Sequence, residues 1–211
     1  MTELDETRWL ISSEGQEAIQ SATEIVSQHD LVKATVLLRK RFTPAQASLA
    51  LRQARLRPRA RRKFADGESL FLDDQALQQA SSESLASYKA LRFPSGQAVY
   101  DLCCGIGGDL FSLARRGPTI GVEQNPSLAL LAEANCQTLG LVDAHVELRD
   151  ATKISYQELA LVHIDPDRRA HGSRTTTIAF HEPGEAFLNS LLEHCEGGAL
   201  KLAPATNIPV S

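Results

Sequence analysis

Long apolar runs are missing from this sequence. No stretch approaches the roughly 20 residues that an α-helix needs to span a bilayer, and the opening Met1-Thr2-Glu3-Leu4-Asp5 is acidic where a signal peptide is basic. Membrane insertion and export are therefore not expected, and the chain reads as cytoplasmic. Cysteine is scarce as well: Cys103, Cys104, Cys136 and Cys195 show no CxxC spacing, and adjacent cysteines bridge only with strain. A disulfide framework is excluded and reduced thiols are expected. A zinc site made from Cys103, Cys104 and a histidine would lack ligand spacing, so no metal is expected. No compositionally biased segment predicts disorder either. Hydrophobic residues at 43% and charged residues at 23% are ordinary globular usage, and 211 residues suffice for one large or two small cores.

Acid is absent from one region. Arg39 to Lys63 holds ten Lys or Arg and no Asp or Glu; the chain as a whole carries −4, which leaves −14 on the remainder. Such a cluster suits a phosphate-binding face, because each neutralised phosphate releases a counterion. It suits equally a solvated helix whose arginines pair with the acidic remainder. No interleaved aromatics accompany the cations, so RNA as a partner rests on charge alone.

Up to residue 93 the periodicity is helical. Ala18, Ile19, Ala22, Ile25 and Val26 fall on one helical face. Thr43-Pro44-Ala45-Gln46 offers a cap, a preset φ at the first helical position and a side chain that reaches back. Ala47, Leu51 and Ala54 continue that inner face until Pro58 interrupts it. A third helix is predicted from about Asp74 to Leu91, with Leu77, Leu85, Tyr88 and Leu91 inward. Phe93-Pro94-Ser95-Gly96 then breaks the pattern, and short apolar strands alternating with helices follow, as in a parallel sheet. Strands are predicted at 98–102, 119–122, 145–148, 161–164 and 199–202. The expected organisation is a helical N-terminal domain over 1–93 and an α/β domain over 94–211.

The strand Val99-Tyr100-Asp101-Leu102 runs through Cys103-Cys104-Gly105-Ile106-Gly107-Gly108-Asp109 into Leu110-Phe111 at the start of a helix. This is the context of a nucleotide-cofactor loop, whose glycines permit a tight turn and close backbone approach to the ligand. A dinucleotide fingerprint would need glycine where Leu110 stands, which disfavours a nicotinamide cofactor. At the end of the next strand, Glu123 is placed to accept both ribose hydroxyls of an adenosine moiety, and Asp150, after the third, to accept from the adenine amino group. The fourth strand ends in His163-Ile164-Asp165-Pro166-Asp167-Arg168-Arg169. Here Asp165 is the candidate for orienting or deprotonating an acceptor, Pro166 fixes the turn, and Arg168 and Arg169 could hold a phosphate or carboxylate. His163, within an apolar strand, reads as a satisfied buried histidine.

With these residues in view, the sequence over about 94–211 resembles class I S-adenosylmethionine-dependent methyltransferases. The resemblance is carried by Asp101-Leu102-Cys103-Cys104-Gly105-Ile106-Gly107-Gly108-Asp109, Glu123, Asp150 and Asp165-Pro166. More narrowly, it resembles a bacterial family of predicted methyltransferases often found with a C-terminal THUMP-like domain. That likeness rests on Ala60-Arg61-Arg62-Lys63-Phe64, Leu70-Phe71, Asp165-Pro166-Asp167-Arg168-Arg169 and Lys201-Leu202-Ala203-Pro204. It implies a Rossmann-like parallel sheet with flanking helices behind an all-α N-terminal domain. It also implies S-adenosylmethionine as cofactor and RNA as the methyl acceptor. On this basis Asp101, Gly105, Gly107, Gly108, Glu123 and Asp150 are the expected cofactor residues, Asp101 holding the amino group. Asp165 and Pro166 are the expected catalytic residues, and Arg168 and Arg169 bind substrate. The family's sheet has two more strands after the fifth, so the chain to Ser211 is expected to be truncated after strand 5. Enzymes that methylate base amines carry Asp-Pro-Pro or Asn-Pro-Pro and an aromatic, where this chain has Asp167 and Arg168. The alternative is a non-catalytic RNA-binding module that retains the fold.

Overall fold

In the computed structural model, residues 2–155, 159–166 and 182–202 are described. Local signals in the chain set the starts of the N-terminal helices. Thr2 closes a capping box with Asp5 at α1 (Glu3–Ile11), and the Ser12 side chain accepts from the Gly15 amide at α2 (Ser13–Gln28). Asp30 caps α3 (Leu31–Leu38), and Thr43 with Gln46 forms the expected box at α4 (Pro44–Ala60). Ala18, Ile19 and Ala22 of α2 and Ala47, Leu51 and Ala54 of α4 are buried where the two helices pack together. α1 and α3 were not foreseen. α1 is short and rich in charge, and α3 is a short, almost continuously apolar run, so neither gives a periodic signal.

Two expectations about the helices fail. Pro58 does not interrupt α4; it sits in the final turn, where its missing N–H removes only the bond to the Ala54 carbonyl. The helix expected from 74 to 91 is two, α5 (Asp74–Gln79) and α6 (Glu83–Ala90), because Ala80 leaves the helix at ψ 140°. Lys63 holds that break, its Nζ donating to the carbonyls of Leu77, Gln78 and Ala80 at 2.8, 3.0 and 2.7 Å. Restarting the helix rotates its face. Ala86 and Ala90 are buried instead, whereas Leu85, Tyr88 and Leu91 are 44%, 56% and 65% exposed.

Among the described residues five strands follow: β1 (Val99–Leu102), β2 (Thr119–Glu123), β3 (Ala144–Leu148), β4 (Leu161–Ile164) and β5 (Gly197–Leu200). All neighbouring pairs are parallel, in the order β3-β2-β1-β4-β5. β5 starts two residues earlier than predicted, so Lys201 and Leu202 lie beyond its carboxyl end. α7 (Leu110–Ala114), α8 (Pro126–Thr138) and α9 (Glu185–His194) make the crossovers that parallel strands require. The expected α/β architecture behind a helical region is thus present.

One core passes from the helices into the sheet unit. Leu10, Ile19, Leu38, Leu70 and Leu72 cluster with Ile106, Leu110, Phe111, Leu131 and Cys136. The buried segment Leu70-Phe71-Leu72 has no regular secondary structure, so its backbone polar groups need partners from side chains. Gln53 of α4 accepts from the Leu72 amide at 2.9 Å and donates to its carbonyl at 2.6 Å. Asn135 of α8 does the same for Phe71, at 2.8 and 3.0 Å, and also donates to the Ile106 carbonyl at 3.1 Å.

Candidate functional site

Between β1 and β4 the strand order reverses direction, and ligands of open α/β sheets bind outside the carboxyl ends of strands at such a point. A cavity of about 390 Å³ opens there. It is lined by Asp101, Cys103 to Ile106, Gly108 and Asp109 from β1 and its loop, and by Glu123 and Gln124 after β2. Arg149 to Thr152 after β3, Asp165 and Pro166 after β4, and Lys201 after β5 complete the sheet side. Ala76 and Gln78 to Ala80 close it from the helical region.

The glycine loop takes its shape from three left-handed residues: Cys103 at φ 62°, Gly105 at φ 58° and Gly107 at φ 99°. For Cys103 this conformation is strained, at a cost of roughly 1–2 kcal/mol. At Gly107 a Cβ would lie 2.3 Å from the Phe111 ring, so only glycine fits. The Cys104 amide donates to the Val122 carbonyl at 3.0 Å and the Gly107 amide to the Cys104 carbonyl at 2.9 Å, folding the loop over the sheet edge.

Glu123 is buried and braces this loop. Its Oε2 accepts from the Gly105 amide and its Oε1 from the Asn125 amide, both at 2.9 Å. Burial pushes its carboxyl above the ordinary range, with those amides opposing the shift. Asp150 sits in a more open place: Thr152 donates to it from its amide at 3.0 Å and its hydroxyl at 2.7 Å, and Lys153 pairs with its other oxygen at 3.1 Å. The Thr152 hydrogen bonds hold Asp150 below its ordinary pKa.

Asp101 and His163 are register partners on β1 and β4. His163 Nδ1 and Asp101 Oδ1 lie 2.6 Å apart and both side chains are buried. Burial raises the Asp101 carboxyl, and the charge of His163 opposes this. Among the described residues, Asp101 Oδ2 and His163 Nε2 have no hydrogen-bond partner. His163 is therefore buried as read from the sequence, but only one of its nitrogens is satisfied. Its pairing with Asp101 has no sequence signal, since it depends on the register of two strands 62 residues apart.

Asp165 pairs with Lys201, whose Nζ also donates to Ser81 Oγ at 3.2 Å. Lys89 donates to the same hydroxyl at 3.1 Å and pairs with Asp109 at 2.5 Å. Sequence reading gave Lys201 no role, although its place just past a strand's carboxyl end was the available signal. Lys89 and Ser81, beyond the helix break, had none. Four carboxylates, Glu123, Asp101, Asp165 and Asp150, act with burial to push the Cys103 thiol up, which keeps it protonated. Such a field attracts a cationic ligand. All six expected cofactor residues belong to this loop and these strand ends, and Asp165 and Pro166 line the same cavity. Asp167, Arg168 and Arg169 lie outside the described residues. Among the described residues no three His, Cys, Asp or Glu gather as if for a metal ion, and no helix is long and apolar enough to cross a membrane.

Comparison with known proteins agrees with this geometry. Residues 3–60, from α1 through α4, match a family model described as a domain of unknown function (DUF8688). Over 134 residues the chain is 33% identical to an uncharacterized S-adenosylmethionine-dependent methyltransferase of Mycobacterium tuberculosis, in strains CDC 1551 / Oshkosh and H37Rv alike. That match covers 62% of this chain and 36% of each relative, so the chain spans about a third of the length of the curated proteins it matches. A Porphyromonas gingivalis W83 protein regarded as a methyltransferase superposes with a TM-score of 0.63 at 23% identity, over 92% of this chain and 47% of that one. With its strand order, glycine loop and carboxylates at the strand ends, the chain has the fold of class I S-adenosylmethionine-dependent methyltransferases.

Proposed function

We propose that this chain binds S-adenosylmethionine and transfers its methyl group to an acceptor, with RNA as the acceptor class. The observation that carries the reading is the single cavity joining Asp101, the glycine loop, Glu123, Asp150 and Asp165 at the carboxyl ends of four strands. The residues present fit the cofactor. Buried and, among the described residues, without a partner on Oδ2, Asp101 is suited to accept from an ammonium group. The Glu123 carboxylate accepts from the Gly105 and Asn125 amides, with the Gln124 amide also beside it, and a carboxylate offers about four lone-pair sites, so capacity remains for a ribose hydroxyl. The backbone at Gly105 to Gly108 is approachable, and Asp150 stays ionised beside the expected adenine position.

When bound, S-adenosylmethionine supplies an electrophilic methyl on a sulfonium. The chain's own part is alignment: Asp165 orients the acceptor or takes its proton, and Pro166 holds that carboxylate at the cavity wall. RNA is supported by charge. Arg41, Arg59 and Arg61 pair with Glu17, Asp74 and Glu68, whereas Arg39, Lys40, Arg52, Arg55 and Arg62 are exposed on the helical region. In this proposal residues 1–93 present that basic face, residues 94–211 hold the cofactor, and the chain works in the cytoplasm with its four cysteines free.

The experiment is calorimetric titration with S-adenosylhomocysteine of the chain and of Glu123→Ala and Asp165→Ala. Micromolar binding that Glu123→Ala weakens and Asp165→Ala preserves is expected. Loss of methyl transfer in Asp165→Ala with affinity intact assigns that carboxylate to the acceptor side. RNA binding with steep salt dependence and no cofactor binding at all would overturn the enzyme in favour of a binding module.

A further inference from the structure

One cation, Lys201, lines the acceptor flank of the cavity beside Asp165. Three lysines, Lys63, Lys89 and Lys201, converge on the α5–α6 break, and Lys63 is pushed down by burial and by the charge of Lys201. The carboxylates Asp109 and Asp165 are paired with Lys89 and Lys201, and Glu182 lines the same cavity. The Asp165 carboxylate is therefore already paired with a cation.

Lys201 is also incompletely used. An ammonium has three N–H donors; among the described residues one goes to Asp165 Oδ2 and one to the buried Ser81 hydroxyl. The side chain is 20% exposed and lines the cavity. Its third donor has the cavity as its outlet.

Resting on the methyltransfer reading above, we infer that Lys201 fixes the acceptor as an oxygen nucleophile, a hydroxyl, rather than an amine. Methylating a neutral amine builds positive charge on nitrogen, which a neighbouring ammonium opposes. A hydroxyl becomes a competent nucleophile as its proton leaves, and the alkoxide character that this proton loss puts on oxygen is stabilised by the same ammonium through a charge-assisted hydrogen bond. As the acceptor O–H bond breaks, its proton passes to the free oxygen of Asp165. The O–CH3 bond forms as the S–CH3 bond breaks, and the electron pair of that bond stays on sulfur as the neutral thioether. Lys201 keeps its charge throughout. Ser81 and Asp165 hold it in place, so helical region and sheet both set acceptor chemistry.

The test uses binding rather than turnover. Two adenosine–amino acid analogues carry a tertiary amine in place of the sulfonium; one bears a carboxymethyl arm where the methyl stands, the other a 2-aminoethyl arm. Both are titrated by calorimetry, with S-adenosylhomocysteine alongside, into the 211-residue chain and its Lys201→Met and Lys201→Arg variants. The wild-type chain should bind the carboxymethyl analogue about tenfold tighter than the aminoethyl one. Lys201→Met should abolish or invert that ratio and Lys201→Arg preserve its sign, while S-adenosylhomocysteine affinity stays the same in all three. Preference of the wild type for the aminoethyl arm, or a ratio that Lys201→Met leaves unchanged, overturns the inference. A Lys201→Met protein that no longer binds S-adenosylhomocysteine has lost its fold, and the wild-type ratio with Lys201→Arg then decides. Failure of the wild type to bind S-adenosylhomocysteine refutes instead the cofactor reading, and this inference falls with it.

Discussion

Asn135 is fully buried and holds three backbone groups at once: the amide and carbonyl of Phe71 and the carbonyl of Ile106 in the glycine loop. Asn135→Ala removes all three bonds without giving water access. A buried donor left unsatisfied costs about 1–3 kcal/mol, and each broken bond to a carbonyl about 0.5–1.5 kcal/mol. The sum is roughly 2–6 kcal/mol, a large share of the ~5–15 kcal/mol by which a domain is stable. In a protein of this size about 1 kcal/mol moves Tm by roughly 2–4 °C, so a fall of about 10 °C is expected. Urea unfolding and calorimetry measure it. Gln53→Ala, which frees only the two backbone groups of Leu72, should cost less and leave the glycine loop untouched. Asn135→Ala should therefore also weaken S-adenosylhomocysteine more than Gln53→Ala does. A change below about 1 kcal/mol for Asn135→Ala would refute the view that side-chain amides carry the 70–72 segment.

Gly107→Ala meets both a φ of 99° and the Phe111 ring at 2.3 Å, and it should abolish S-adenosylhomocysteine binding while leaving a folded chain by circular dichroism; micromolar binding would contradict the loop's assignment. Glu123 has a folded pKa raised above its ordinary 4.5 by burial, so its ionisation works against folding: stability from this group is fully present below about 4.5 and is lost as pH rises through the higher folded value. Binding has the opposite sense, since the ionised carboxylate accepts ribose hydroxyls. Affinity measured by calorimetry should fall on acidification through a midpoint above 4.5, and Glu123→Gln should remove that limb; persistence in the variant would move it to Asp101, also raised by burial, because Asp150 is lowered. Replacing exposed Arg39 and Arg55 by Gln should reduce the salt slope of RNA binding by about one for each phosphate no longer neutralised, and an unchanged slope in filter binding would remove the basic face from the acceptor's path.

Legibility in the sequence followed the range of the interactions involved. β1, β2 and β4 could be placed because short apolar runs end in Gly, Asp or Pro, and the α4 start because Thr43, Pro44 and Gln46 form a complete local signal. Glu123, Asp150 and Asp165 could be chosen because a strand's carboxyl end is a position along the chain. Leu85, Tyr88 and Leu91 were misplaced because the break at Ala80 is held by Lys63, at least 14 residues away, and the one local signal, Ser82 with Glu83 as a new helix start, is weaker than the apolar spacing that runs through it. The Asp101–His163 and Asp165–Lys201 pairs were invisible for the same reason: each joins neighbouring strands that the chain order separates by 62 and 36 residues.

The same long-range contacts explain why the helical region cannot be regarded as an appendage to the cofactor fold. Ala80 lies 3.1 Å from where a Cβ on Gly108 would stand, so the α5–α6 break presses directly on the glycine loop. Ser81, next in sequence, receives hydrogen bonds from Lys89 and Lys201, which in turn hold Asp109 at one end of the loop and Asp165 at the other side of the cavity. Asn135 ties the loop's Ile106 to Phe71, and Phe111 packs edge-on against Phe64 at 6.1 Å. Without residues 64–90, α7 would lose its packing against α6, Asn135 would lose Phe71, and the acceptor flank would lack Lys89 and the Ser81 hydroxyl that steadies Lys201. The sheet supplies Lys201 and the carboxylates that suit a cationic cofactor, and the helical region supplies the Ser81 hydroxyl and Lys89 that hold Lys201 and Asp109 in place. Selectivity for the acceptor therefore depends on how the helical region is docked, and a substitution at Ser81 should alter acceptor binding while sparing affinity for S-adenosylhomocysteine.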